Sequence, residues 1–511
     1  MAINDISLGD FSAENDRNLS KYFLDDTPEY SAAKNINDHR YILLGRTGSG
    51  KSAILSHIYE KHKEDNRFLC VFIRPGKSYL DAVVQTQEFH DLKESEGLQN
   101  ILYKLIWNYV IMVSVLKQVY GHRGPMKRHK FLSGEKLRAY RFLQRVEQLA
   151  QEDQTLFDVF IGLIKEINFS IKGIDISCGT KENSSYKIMR DLIKETEDFH
   201  EKGFWDVVSG KKLYLLFDDL DLGWDPGNQD QQLLLRGLFE IMKSYAYRER
   251  VKPLIALRTN ILDRLNIPQR EKYENNVLPL RWTKPNLKKM LLLRLIEYGK
   301  LDAAQGFESF FYSDSNPDFL VDYMITRTLY RPRDLLAFCK YAISDASRAG
   351  VDKITLDQVS QAESTYSINR LQALEDEWRY SYPSLKSFVT LMIKITTRDY
   401  NVNLLKPKEL RNILVEMKER IVTAAPEEEN QYAQLIWMTS YFVNNDDPVE
   451  IVKVLYRLGI LGIRSEHQEF MFVFESQEMP TIVQESEFTF HPMLHRIPTG
   501  GFQFKEDNPW I

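Results

Sequence analysis

"GRTGSGKS", residues 45–52, follows the apolar run Tyr41, Ile42, Leu43, Leu44 and precedes "AILSHIYEKHKED". Its spacing is G-x-x-x-x-G-K-[ST], filled by Gly45, Gly50, Lys51 and Ser52. The apolar run suits a strand buried on both faces of a parallel sheet. Beyond the glycines, Ile54, Leu55, Ile58 and Tyr59 share one face of a helix. Strand, glycine loop and helix thus come in the order that a phosphate-binding turn requires. Without a Cβ in the way, the backbone N–H groups of Gly48, Ser49 and Gly50 can wrap a phosphate at the helix N-terminus, with Thr47 in the same loop. Lys51 then reaches the β- and γ-phosphates of ATP, and the Ser52 hydroxyl ligates Mg²⁺.

Such a loop needs an acidic partner to hold the metal and position water. "KKLYLLFDDLDLGWD" supplies one: Leu213 to Phe217 read as a buried strand ending in Asp218 and Asp219. Ligands of open α/β sheets bind at the carboxyl ends of strands, where these acids fall. Asp218 is expected on the Mg²⁺ side, directly or through water, and Asp219 as the group polarising water, with Asp221 competing for either role. A third strand, Leu254 to Leu257, ends in Arg258. If it neighbours the Asp218 strand, Arg258 lies beside the γ-phosphate as a sensor; otherwise it is a capping or ion-pairing arginine.

At 511 residues the chain is too long for one core, and about three domains are expected. Its 43% hydrophobic and 27% charged residues fit a soluble globular protein, and the net charge of -5 argues against coating nucleic acid by bulk charge. Cys70, Cys178 and Cys339 lie far apart, without CxxC pairing, as expected in a reducing cytosol. "MAINDISLGDFSAEND" has no signal-peptide character, and the apolar run "IWNYVIMVSVL" is too short to span a bilayer. The expectation is a cytoplasmic protein with no membrane association.

The set "GRTGSGKSAI", "FDDLDLGW", "IALRTNI", "LRW" before a leucine-rich helix, "RPRDLLAFCKYAI", "YSINRLQALEDEWRYSYPSL" and "VLYRLGILGI" resembles a bacterial family of stand-alone P-loop ATPases, labelled FunZ-like and related to the KAP and STAND groups. The resemblance runs through most of residues 20–495; the DDLD, RPRDL and YS...DEW elements narrow it beyond the shared nucleotide motifs. It implies an α/β P-loop NTPase core of ASCE/AAA+/STAND type with a helical insertion, a helical lid and a C-terminal winged-helix domain. It also implies a lid arginine contacting bound nucleotide, which falls first on Arg333 and second on Arg331. Many relatives carry an arginine after DDLD where this chain has Leu222, so an arginine acting on a neighbour must come from elsewhere. The expected layout is an N-terminal segment 1–38, an ATPase domain 39–283 with an insertion at about 90–170, a lid 284–372, a winged helix 373–500 and a tail 501–511.

Pattern reading fills in the rest. "NRFLCVFIRPG" is a second core strand, and 97–120 and 136–170 are inserted helices. Pro332 opens a helix burying Leu335, Leu336 and Ala337. Two amphipathic helices are expected within 407–443, then a helix, a glycine break and a strand pair around "SEHQ", with "EFTFHPML" as a further strand. His491 there is either a nucleotide-state sensor or a core histidine. Around residues 122–145, Arg123, Lys127, Arg128, Lys130, Lys136, Arg138, Arg141 and Arg145 face one acid, Glu135, with Phe131, Tyr140 and Phe142 interleaved. That segment suits DNA or RNA, an acidic partner, a neighbour's active site or a solvated helix face.

Two functions follow. One is an ATP-hydrolysing switch controlling self-association into a homo-oligomer or a protein effector, which the resemblance places in bacterial defence. The other is a nucleic-acid-binding ATPase of the initiator or loader type, using the winged helix with Lys127, Arg128, Lys130, Arg138 and Arg141.

Overall fold

The structure is a computed structural model; it describes residues 6–74, 99–120, 132–149, 433–442, 449–464, 469–475, 479–497, and 199–424 apart from positions 223, 266, 268, 300–303, 305, 315 and 317. Five short apolar segments form a sheet: β1 (Ile42–Gly45), β2 (Phe68–Ile73), β3 (Lys212–Phe217), β4 (Val251–Arg258) and β5 (Val277–Pro279). All adjacent pairs are parallel and the order is β2-β3-β4-β1-β5. A parallel sheet must be covered on both faces, which explains why these strands read as continuous apolar runs rather than alternating ones. The strand that follows the glycine loop's strand in sequence is not its neighbour. Instead β4 lies between β1 and β3, the arrangement of the ASCE division of α/β P-loop NTPases expected above.

Two compact units divide the chain: residues 1–24, 47–50 and 281–511 form one, and residues 25–46 and 51–280 the other. In the second, helix Lys51–His62 buries Ile54, Leu55 and Ile58 and leaves Tyr59 half-buried. Helix Gln99–Tyr120 contains the long apolar run and spends it on the core: Ile106, Trp107, Val110, Ile111, Met112 and Val113 are fully buried. It lies against helix Gln229–Ala246, where Trp107 Nε1 donates to the Leu234 carbonyl at 2.8 Å and Tyr103 donates to Asp230 at 2.8 Å. Gly237 permits the approach, since a Cβ there would stand 3.0 Å from that of Tyr103. No described helix is long and apolar enough to cross a membrane.

The first unit is mainly helical: Lys284–Gly299, Asp318–Thr326, Pro332–Ala349, Leu356–Trp378, Leu385–Asp399, Pro407–Ala424 and Val449–Leu458 share one core. Pro332 opens its helix at the first turn, and Gly350 closes it in the left-handed region with φ 66°. Thr355 and Gln358 start the next helix with a capping box. One expectation is corrected: residues Ala433–Tyr441 form a 3-10 helix instead of an amphipathic α-helix. Ile463 and Met471 pair antiparallel across "SEHQ" as expected, and β6 (Leu461–Arg464) pairs over a longer stretch with β7 (Glu487–Phe490), also antiparallel. Leu405 bridges to Phe488 on the other side of β7, so β7 takes the central position. Residues 465–468 lie outside the described residues, as do 150–198, which include the end of the expected insertion.

Ile255 has no exposed area and its backbone pairs with both β1 and β3. Ile255→Ala should cost ~2–5 kcal/mol. The check is the urea midpoint of the transition that reports on the sheet; a shift within error of zero would show that this strand is not at the centre of the core.

Candidate nucleotide site

At the carboxyl edge of the sheet, the register aligns Gly45 with Arg258 across β1 and β4, and Ile255 with both Ile42 and Phe217. Asp218, the residue after Phe217, therefore emerges at the same edge as the start of the glycine loop. Its side chain is buried. Asp219 is held with φ 59°, a left-handed conformation that aspartate tolerates better than most residues. Its carboxylate faces Arg74 Nε at 3.8 Å. Arg258 pairs with Asp221. β4 neighbours the Asp218 strand, as the sensor reading requires, and Asp221 is the ion-pair partner of Arg258. Lys51 donates from its ammonium to the carbonyls of Gly45 at 2.9 Å and Arg46 at 3.0 Å, which places the charge inside the loop's curl. Ser52 stands next to it in the first turn of the helix.

The tip of the loop, Thr47–Gly50, belongs with the helical unit, and every peptide from Thr47 to Ser49 is engaged there. Arg331 Nη1 donates to the Thr47 carbonyl at 3.0 Å, and the Thr47 N–H donates to Glu377 Oε1 at 3.3 Å. The Arg333 N–H donates to the Gly48 carbonyl at 3.4 Å, and Trp282 Nε1 donates to that of Ser49 at 2.9 Å. Gly48 and Gly50 have φ of 80° and 95°, so both glycines are required by backbone conformation. A Cβ on Gly48 would come within 2.7 Å of the Arg333 Cβ. The hydroxyls of Thr47 and Ser49 and Arg331 Nη2 are buried with no hydrogen-bond partner among the described residues.

Behind the tip lies a buried ionic chain. Arg331 pairs with Asp334 at 2.9 Å and with Glu377 at 3.1 Å, and Arg370 reaches the other Asp334 oxygen at 2.6 Å. Side-chain exposure is 3% for Arg331, 3% for Glu377 and 1% for Asp334, low enough that none of these charges could stand alone. Burial works against the Arg331 charge, but the two carboxylates outweigh it and hold its pKa above the ordinary arginine value. The two arginines thus meet the loop in different ways. Arg331 hydrogen-bonds the loop through its buried side chain, while Arg333 donates its backbone N–H and lays an exposed side chain over Gly48.

Trp282 and Glu377 sit in the "LRW" and "DEW" elements, quoted above for resemblance but given no role. Nothing in spacing alone brings residue 377 to residue 47; the reach is 330 positions. His491 is fully buried, with Nδ1 accepting the Met493 N–H at 3.0 Å and its ring edge-on to the stacked pair Phe472 and Phe474. Of the basic segment, Arg123, Lys127, Arg128, Lys130 and Phe131 lie outside the described residues. On helix Gly134–Leu149, Lys136, Arg138 and Arg141 are exposed, with Arg138 3.6 Å from Glu135. The two described aromatics of the segment are not free platforms, because Tyr140 packs edge-on to Tyr120 and Phe142 to Tyr109. Cys70 and Cys339 are buried free thiols.

Residues 285–375 match the FunZ-associated C-terminal helical domain. That span includes Arg331, Arg333, Asp334 and Arg370. The chain is 22% identical over 395 residues to the putative transposon gamma-delta 80.3 kDa protein of Escherichia coli (strain K12), covering 74% of this chain and 52% of that protein. It therefore spans about half the length of the curated relative it matches. Among solved structures it is similar to the Aeropyrum pernix ORC2 protein in its ADPNP-ADP complexes, with a TM-score of 0.37 and 13% identity over 95% of this chain and 91% of that one. It is also similar to the Aeropyrum pernix ORC1 protein in complex with DNA, with a TM-score of 0.33 and 13% identity over 83% and 79%. A third is Drosophila ORC bound to DNA, with a TM-score of 0.30 and 13% identity over 94% and 89%.

Gly48→Ala meets both a left-handed backbone, at ~1–2 kcal/mol, and the Arg333 contact. Gly350→Ala in the same unit meets the backbone cost alone, since nothing lies within 4 Å of its Cβ position. Thermal melts should therefore show a larger loss for Gly48→Ala. Equal losses would show that the Arg333 backbone does not hold the loop tip.

Proposed function

We propose that this chain binds ATP with Mg²⁺ on "GRTGSGKS" and hydrolyses it. The observation that carries the reading is the loop itself: two left-handed glycines lead into a helix N-terminus, with Lys51 inside the curl. The buried, unpartnered Thr47 and Ser49 hydroxyls suit a ligand rich in acceptor oxygens. A nest of N–H groups favours the β-phosphate, Lys51 offsets charge on the β- and γ-oxygens, and Gly45 to Ser52 form the cradle. Ser52 and the buried Asp218 carboxylate are oxygen donors of the hard type that Mg²⁺ takes. When bound, Mg²⁺ would neutralise charge between phosphates. Asp219 would accept a proton from, or orient, the attacking water. Arg258, steered by Asp221, would stabilise charge on the transferred phosphoryl. Arg331 and Arg333 would couple nucleotide occupancy to the lid.

In this reading the nucleotide state controls conformation, self-association or a partner effector in the cytoplasm. The defence setting rests on the family resemblance alone, of which the helical-domain match covers the lid. Helix Val449–Leu458 supports a protein-facing winged helix. It buries Ile451, Val452, Val454, Leu455, Tyr456 and Leu458, and Lys453 pairs with Glu450. A groove-reading helix needs an exposed face with several phosphate contacts. A nucleic-acid-binding ATPase is the second reading, favoured by the exposed Lys136, Arg138 and Arg141.

Lys51→Ala should abolish Mg·ATP binding in a calorimetric titration. Asp219→Asn should bind ATP and lose about 10²-fold or more in kcat; unchanged turnover would sink its assignment. Arg258→Ala should lower kcat by a similar factor with a smaller change in Kd. Light scattering with ADP, ATP and a non-hydrolysable analogue, with and without DNA, separates the readings. Nucleotide-dependent assembly indifferent to DNA supports the switch, whereas steeply salt-dependent DNA binding supports the second.

A further inference from the structure

We infer that Glu377 is a positioning residue for nucleotide binding, which holds the Thr47 peptide of the phosphate loop in its binding geometry directly and through Arg331. The inference rests on the ATP-binding reading above and extends it to a residue that would never touch the nucleotide.

The geometry is specific to one residue of the loop. Glu377 Oε1 accepts the Thr47 N–H at 3.3 Å, while Glu377 Oε2 takes Arg331 Nη1 at 3.1 Å, and that same Nη1 donates to the Thr47 carbonyl at 3.0 Å. Both peptide groups flanking the Thr47 Cα are thereby fixed by one ion pair. A hydrogen bond to each side of a residue restrains its φ and ψ together, which is what sets the direction of the N–H groups that follow at Gly48, Ser49 and Gly50. The pair is itself held rigid: Arg331 Nε is taken by Asp334, and Arg370 closes the far oxygen of Asp334. Among these described contacts, two arginines face two carboxylates, so each buried charge has an opposite one beside it.

Electrostatics gives the arrangement its sense. A bare carboxylate this near a phosphate loop would repel the ligand. Glu377 escapes that because its charge is matched by Arg331, and its remaining oxygen points at a loop N–H. The N–H it takes belongs to Thr47, at the start of the curl, leaving those of Gly48 to Gly50 for the phosphate. The same pairing ties loop geometry to helix Leu356–Trp378, of which Glu377 is the penultimate residue. Movement of that helix end would release the Thr47 peptide.

The test is Mg·ATP titration of wild type, Glu377→Asp and Glu377→Gln, with thermal melts and amide hydrogen exchange of residues 45–52 measured without nucleotide. Glu377→Asp keeps the charge balance but withdraws the carboxylate by one methylene. It should melt near wild type, exchange faster at the loop, and bind Mg·ATP about tenfold more weakly, the size of one hydrogen bond to a charged group, with KM raised more than kcat is lowered. Glu377→Gln leaves an acceptor but unbalances the buried arginines, so it should lose affinity and thermal stability together; if it does not fold, Glu377→Asp decides. Wild-type affinity and loop exchange in Glu377→Asp would overturn the inference while leaving ATP binding intact. A wild-type protein that binds no nucleotide would overturn the underlying reading, and the inference with it.

Discussion

One peptide carries much of this structure's functional logic. Thr47 lies at the tip of a glycine loop whose curl depends on two left-handed glycines, and such a loop has many alternatives in solution. What selects one geometry is the pair of hydrogen bonds from Arg331 and Glu377 to the Thr47 carbonyl and N–H. Burial makes those bonds strong, and it also makes them conditional. An ionic chain with 1–10% exposure is stable only when every member is present, because removing one partner leaves a charge in a medium that cannot solvate it.

The sheet supplies the other half of the arrangement by a different physical route. Parallel pairing brings the carboxyl ends of β1, β3 and β4 to one edge, and strand order puts β4 between the other two. Gly45, Asp218 and Arg258 then share that edge without any side-chain contact being needed to gather them. Their roles diverge once local chemistry is considered. Asp218 is buried, Asp219 is strained and faces Arg74, and Asp221 is engaged by Arg258. Three carboxylates within four residues thus have three distinct environments, the condition under which a metal ligand, a water-orienting group and an arginine-steering group can coexist.

The nucleotide motif, four of the five sheet strands and most helices were legible in the sequence because each is a local signal, whereas the three-residue β5 is too short to give one. An apolar run, a glycine spacing or a proline at a helix start acts over a few residues. What was not legible is a matter of reach. Only the packing of Asp334, Arg370 and Glu377 buries the Arg331 guanidinium against the loop. The pairing across "SEHQ" is a local signal, whereas the pairing of β6 with β7 joins residues more than twenty positions apart and has none. The 3-10 helix at Ala433–Tyr441 has helical periodicity, and periodicity alone does not separate the two helix types. "LRW" and "DEW" were visible as resemblance but silent as chemistry until Trp282 and Glu377 were seen against Ser49 and Thr47.

The central claim is that the Thr47–Gly50 tip is a phosphate cradle already shaped by the helical unit. Hydrogen–deuterium exchange of the full chain with and without Mg·ATP addresses it most directly. The account predicts slow exchange at residues 45–52 before nucleotide is added, a further slowing on addition, and parallel slowing at 331–334 and 375–378 with none at 449–464. Fast exchange at 45–52 without nucleotide and no change with it would contradict the account.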